Sequence, residues 1–211
     1  MNGLGALSKD ELKKRLYVDR DLTISPMLDP VKQIGDGSVD ISLGTRFIVS
    51  ETPNVTQIDP MTLDSREIRK FQREVVVPFG DSFTLHPHHF LLGCTFEFIA
   101  LPQNLCAFVL SRSSYGRAGL LIATATYVHP CWQGCLTLEL QNLGEVPIKL
   151  RPGSHIGQLV ILTSSPLIRV PLQKSIPVGP RFGSLKVDPR LDNLKQIYPH
   201  PKTPPDKAET R

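Results

Sequence analysis

The interval between turn residues constrains this chain more than any other feature. From Leu22 onward, short β-branched or aromatic runs follow one another: "LTISP", "SVDISLGTRFIV", "EVVVPF", "SFTLHP", "FLLGCTFEFIAL", "LCAFVL", "LLIATATYV", "CLTLEL", "VPIKL" and "HIGQLVIL". Pro, Gly, Asn and Asp punctuate them roughly every 8 to 12 residues. Such spacing leaves no room for crossover helices between strands. It predicts an all-β sandwich or jelly-roll barrel rather than βαβ units. The 19 prolines suit a chain with many corners.

Only the N-terminal end reads as helix. Ser8 and Glu11 form a capping box, and Leu12, Leu16 and Tyr17 supply a short apolar face. The 211 residues suffice for one domain with a full core, with or without arms. Residues 1–163 are expected to form the β domain, helix included. Residues 164–211 are rich in Pro and charge, with few sustained apolar runs. They read as a C-terminal arm, a candidate lid over a site, whose last ten residues fray.

Hydrophobic content of 40% and a mean hydropathy of −0.08 are those of a soluble globular chain. No apolar run approaches the roughly 18 residues of a membrane span, and "MNGLGALSKDELKKRL" lacks a signal-peptide apolar core. No membrane partner and a cytoplasmic address are expected. The net charge of +4 comes without a block of like charges, so no nucleic-acid polymer is implied, while a small polyanion such as a nucleoside triphosphate would suit it. Cys94, Cys106, Cys131 and Cys135 sit in apolar company and read as reduced core residues.

"YVHPCWQGCLTLEL", Tyr127 to Leu140, concentrates the candidate chemistry. Zinc nucleobase deaminases carry H-x-E and a later P-C-x-x-C. Here three residues separate Cys131 from Cys135, and no H-x-E lies upstream. His86, His88 and His89 in "HPHHF" read as a turn before a strand rather than as ligands, so no zinc is expected. His129 and Cys131 share a strand face, but a reactive thiolate needs an electropositive pocket. In "CLTLEL", alternation sends Leu136, Leu138 and Leu140 to one face and Thr137 and Glu139 to the other. Glu139 is then a solvated strand residue or, if that face lines a closed pocket, a proton shuttle. "SRSSYGRAGL" places Arg112, Ser113, Ser114 and Arg117 beside Gly116 and Gly119. Guanidinium forks, hydroxyls and open backbone suit a phosphate chain, and they also occur on ordinary surface turns.

Taken in order, these fragments resemble the dCTP deaminase branch of the dUTPase superfamily. The resemblance runs from about Ser8 to Ile161 through "LTISP", "GSVDISLGTRF", "LHP", "TFEFIALPQNL", "SRSSYGRAGL", "TATYVHPCWQG", "LTLELQN" and "LRPGSHIGQLV". It implies a distorted jelly-roll β fold and a homotrimer with sites at subunit interfaces. It also implies zinc-independent hydrolysis of the 4-amino group of dCTP, with Mg²⁺ travelling on the triphosphate. The catalytic glutamate falls on Glu139, with Ser113 and Ala125 beside the reacting water. The phosphate-binding residues fall on Arg112, Ser113, Ser114 and Arg117. Thr124 and Ala125 lie against the base, and Thr137, Leu138 and His129 line the nucleoside. Asp40 falls in the superfamily's first motif and Gln158 in its fourth, and Lys174 matches a lysine of the closing arm.

The sequence also departs from that pattern. "I-D-P-G-[WF]" reads "VHPCW", so His129 replaces an aspartate and Cys131 a glycine. The stretch from Gly119 to His129 is one residue short, and a histidine often seen there is missing. The arm's "SIPVG" offers neither the expected tyrosine nor the glutamine, and "GPRFGS" only faintly resembles the closing motif of dUTPases. The leading expectation is deamination of dCTP to dUTP and ammonia. The alternatives are a dUTPase or bifunctional deaminase–pyrophosphatase, and a nucleotide-sensing homologue without catalysis.

Overall fold

The structure, a computed structural model, describes residues 5–51, 71–123 and 126–164. The C-terminal arm, with Lys174, and the pair Thr124 and Ala125 lie outside the described residues. Each run marked by turn spacing contains a strand. β1 is Thr23–Ser25, β2 Val39–Ser42, β3 Arg46–Ser50, β4 Gln72–Val76, β5 Phe83–Leu85 and β6 Phe90–Ala100. β7 is Leu105–Ser111, β8 Leu120–Ile122, β9 Tyr127–Val128, β10 Gln133–Asn142, β11 Ile148–Leu150 and β12 His155–Thr163.

A six-stranded sheet runs β4-β3-β6-β10-β8 with β1 added on β6, a four-stranded sheet runs β2-β12-β7-β9, and β11 pairs with β5. The paired strands are antiparallel, and the arrangement is jelly-roll-like rather than one closed barrel. Both larger sheets feed one core. Val109, Ile41, Leu159 and Ile161 meet Phe47, Ile99, Leu138 and Leu140 there. Burying such a side chain stabilises by roughly 1.5–3 kcal/mol, which is why the inward parity of each strand is fixed.

α1 is Lys9–Lys13, opened by the predicted capping box: Ser8 N–H donates to Glu11 Oε2 at 2.8 Å and Glu11 N–H to Ser8 Oγ at 3.4 Å. The apolar face differs from expectation at one position. The helix widens into a π turn over Lys14–Asp19, which changes the angular step between residues. Leu12 is buried and Leu16 packs on the core, but Tyr17 is 51% exposed. α2 is Pro30–Gln33. α3, Ser113–Arg117, is a short helix where the sequence suggested a turn. Among the described residues no helix is long and apolar enough to cross a membrane.

Two features place the site. In β6, Thr95, Phe96 and Glu97 face the single residue Leu136, because Cys135 pairs with Phe98 and Thr137 with Cys94. The Thr95 hydroxyl closes this bulge, accepting from Leu136 N–H at 2.9 Å and donating to the Glu97 carbonyl at 2.8 Å. Beyond β2 the chain changes sheets: Leu43 bridges Thr95, and Gly44 N–H donates to the Cys94 carbonyl at 2.7 Å.

Candidate active site

β10 behaves as its alternation predicts. Leu136, Leu138 and Leu140 are buried, whereas Thr137, Glu139 and Gln141 are half-buried on the other face. Glu139 stands opposite Leu92 of β6, and burial pushes its carboxyl up from the ordinary value of 4.5. Desolvation disfavours the charged form, so a carboxyl in this position takes up and gives back a proton nearer neutrality than a solvated one does. Leu138 is 0% exposed, its side chain packed in the core.

The residues flanking Thr124 and Ala125 are anchored on both sheets. Ala123 N–H donates to the Glu139 carbonyl at 2.8 Å, and Val109 N–H donates to the Thr126 carbonyl at 2.8 Å. Downstream, His129 is exposed, with its ring edge-on to Tyr127 at 4.7 Å. Cys131 takes φ +64°, in the left-handed region where glycine is the least strained residue. That conformation accounts for the glycine that the family pattern carries there.

A second group gathers on the four-stranded sheet. Arg112 follows β7, and its Nη1 donates to Asp40 Oδ2 at 2.5 Å. His155 Nδ1 lies 3.6 Å from the same oxygen. Gln158 pairs directly with Asp40 on one side and with Leu110 on the other. The bond to Asp40 occupies one of the five N–H donors of Arg112 and fixes the fork's direction. Ser113, Ser114 and Arg117 are exposed on α3, and Arg117 Nη2 donates to Ser113 Oγ at 3.4 Å. The Tyr115 hydroxyl donates to Ser154 Oγ at 3.0 Å, tying α3 to the turn before β12. Gly119, at φ +92°, leaves the helix so close to Gly144 that an added Cβ would sit 2.8 Å from its nitrogen.

The structure therefore brings Arg112, Asp40, His155 and Gln158 together, sets Ser113 against Arg117, and places Glu139 with Thr137 on the other sheet. His155 escaped the sequence reading, because nothing marks it apart from its place three residues before Gln158. Gln33 and Glu97 also escaped it; both are buried polar residues beneath β2. The thiols are free and buried, and burial pushes Cys94 up to about 12. His86, His88 and His89 lie exposed at the turn before β6. Among the described residues no three His, Cys, Asp or Glu side chains group as a metal site.

A sequence model described as "dCTP deaminase-like" matches residues 6–164, well over half of the chain. The chain belongs to the dCTP deaminase-like family. Over 155 residues it is 44% identical to a Halobacterium salinarum protein named dCTP deaminase, dUMP-forming, covering 73% of this chain and 78% of that one. A Natronomonas pharaonis protein named dCTP deaminase is 41% identical over 154 residues, covering 72% and 77%. Among solved structures, the 2′-deoxycytidine 5′-triphosphate deaminase of Agrobacterium tumefaciens superposes with a TM-score of 0.60 at 22% identity. That match covers 76% of this chain but only 49% of the other, and at this identity the likeness is one of fold. It bears out the jelly-roll expectation, and the family bears out the resemblance read from the sequence.

Proposed function

We propose that the chain deaminates dCTP, consuming water and yielding dUTP and ammonia. The observation that carries this reading is Glu139, half-buried on the polar face of β10 with its carboxyl raised by burial. Water attacks C4 of cytosine, N3 gains a proton, and the C4–N4 bond breaks as ammonia leaves. Glu139 takes one proton from water and delivers it to N3, then carries the second from the new C4 hydroxyl to the departing amine; such general acid–base work contributes about 10²–10⁴-fold. Ser113 and the Ala125 carbonyl orient the water, and Thr124 and Ala125 lie along the base. Arg112, Ser113, Ser114, Arg117, Gln158 and Lys174 hold the phosphates as guanidinium, hydroxyl, amide and ammonium donors. Mg²⁺ enters with the substrate on its phosphate oxygens, and the donor set, made of cations and hydroxyls, suits the anion rather than the metal.

The reaction runs without zinc in this account. The burial of the thiols and the lack, among the described residues, of three grouped His, Cys, Asp or Glu side chains support that. Elemental analysis should find well under one zinc per chain, and a stoichiometric zinc would contradict it. The working form is a homotrimer. Support comes from the outward face of the four-stranded sheet, where Phe108, Leu110 and Tyr127 are 38%, 46% and 39% exposed. Light scattering should give a mass near three chains; a fully active monomer would contradict it.

Chromatography of the products formed from dCTP, dCMP and dUTP tests the function. dUTP appearing from dCTP supports it, and dCTP recovered intact contradicts it. A second reading, continued cleavage to dUMP, is favoured by the name of the Halobacterium salinarum relative. In that case dUMP and pyrophosphate would accumulate in the same experiment.

A further inference from the structure

Glu97 is 0% exposed, and its carboxylate sits beneath the point where the chain leaves one sheet for the other. Ser42 N–H donates to both its oxygens, at 2.9 Å to Oε2 and 3.1 Å to Oε1. Gln33 Nε2 donates to Oε1 at 2.9 Å. Gln33, itself 1% exposed, donates again from Nε2 to the Asp40 carbonyl at 3.1 Å. Its own carbonyl accepts from Asp29 N–H at 2.9 Å. Each donor and acceptor of this amide is used, so its orientation is fixed.

The two groups grip β2 on either side of Ile41: the carbonyl of Asp40 through Gln33, and the amide of Ser42 through Glu97. From the gripped segment the Asp40 carboxylate reaches out to Arg112, with His155 beside it. A buried carboxylate is costly to keep in a core, and burial pushes Glu97's carboxyl up despite its hydrogen bonds. A neutral amide at position 97 would present one carbonyl oxygen and one NH₂ group where two acceptor oxygens now serve Ser42 and Gln33. With its carbonyl oxygen in the place of Oε1 it would keep Gln33, but its NH₂ group would face Ser42 N–H where Oε2 now accepts at 2.9 Å.

We infer that Glu97, acting with Gln33, is a positioning residue: it fixes β2 so that Asp40 aims the Arg112 guanidinium at the triphosphate. The inference rests on the proposed triphosphate site. Glu97 touches no reacting atom. Its effect reaches the ligand through Asp40 and Arg112 and falls on nucleotide binding rather than on the chemical step.

Titration calorimetry and steady-state kinetics on the full chain, with Mg²⁺-dCTP as the probe, test this. Glu97→Gln should raise Kd and KM for dCTP about tenfold, the scale of one weakened charged hydrogen bond, and change kcat much less. In an Arg112→Ala background the same substitution should add little, because coupled residues are non-additive. Gln33→Met, which removes one arm of the grip and keeps the carboxylate, should shift KM in the same direction by a smaller factor. It serves if Glu97→Gln fails to fold. Unchanged KM in both variants, or losses that add fully to those of Arg112→Ala, would overturn the positioning role while the function stands. If the unmodified chain binds no dCTP, the function itself falls, and this inference with it.

Discussion

Arg112 and Asp40, 72 positions apart in sequence, meet in a 2.5 Å hydrogen bond between Nη1 and Oδ2. The guanidinium is thereby held at the end of β7, on a side chain that is 34% exposed. Asp40→Asn keeps the shape but removes the charge that holds the fork. It should raise KM for dCTP by about tenfold, the scale of a charged hydrogen bond, with little change in kcat. Steady-state kinetics checks this, and an equal fall in kcat at unchanged KM would contradict it.

Glu139 carries a stability cost that follows from its site. Its folded pKa lies above the ordinary value of 4.5 because burial disfavours the carboxylate. Between those two values the folded chain binds more protons than the unfolded chain, so stability falls as pH rises through that window and levels off above it. Glu139→Gln has no such group. The melting temperature of Glu139→Gln relative to the unmodified protein should be highest near pH 8 and should decline toward pH 4.5. A difference that grows on acidification would contradict the raised pKa.

Much of this was legible from the chain. Turn spacing located the strands, because Pro, Gly and Asn leave the backbone few alternatives at corners. The alternation in "CLTLEL" assigned Glu139 its face, because a buried leucine row fixes parity. α3 was not legible. A helix of five residues containing Gly116 has little propensity of its own and is held by the Tyr115–Ser154 hydrogen bond. Glu97 was hidden for a different reason. Hydropathy in "TFEF" points the phenylalanines inward, yet the parity of β6 puts Thr95 and Glu97 in the core and leaves Phe96 and Phe98 half-buried. Partners 55 and 64 positions away, Ser42 and Gln33, make that burial tolerable. Local pattern carries no trace of them.

Cys131 occupies φ +64° with its thiol buried. A left-handed conformation costs an L-residue about 1–2 kcal/mol, and branching at Cβ raises that. Cys131→Gly relieves the strain but loses the buried sulfur, so its melting temperature should stay within about 3 °C of the unmodified protein. Cys131→Val should fall further, and Cys131→Gly should keep full deaminase activity. Loss of activity in Cys131→Gly, measured as ammonia release, would give the thiol a chemical role.

His129 stands where the family pattern has an aspartate, a carboxylate able to act as a base toward water. Its imidazole is exposed and set against Tyr127, and it lacks the carboxylate's charge and acceptor geometry. Added dUTP should therefore survive incubation unchanged, and His129→Asp should leave deamination nearly intact. Conversion of dUTP to dUMP by the unmodified protein, followed by chromatography, would make His129 a working base.

The central claim is that Glu139 moves the proton. Glu139→Gln keeps the size and hydrogen-bonding capacity of the side chain but cannot exchange a proton with water or N3. Ammonia release from saturating dCTP should fall by at least about a hundredfold, while calorimetry shows dCTP bound as tightly as before. Turnover by Glu139→Gln within a few-fold of the unmodified protein would contradict the account.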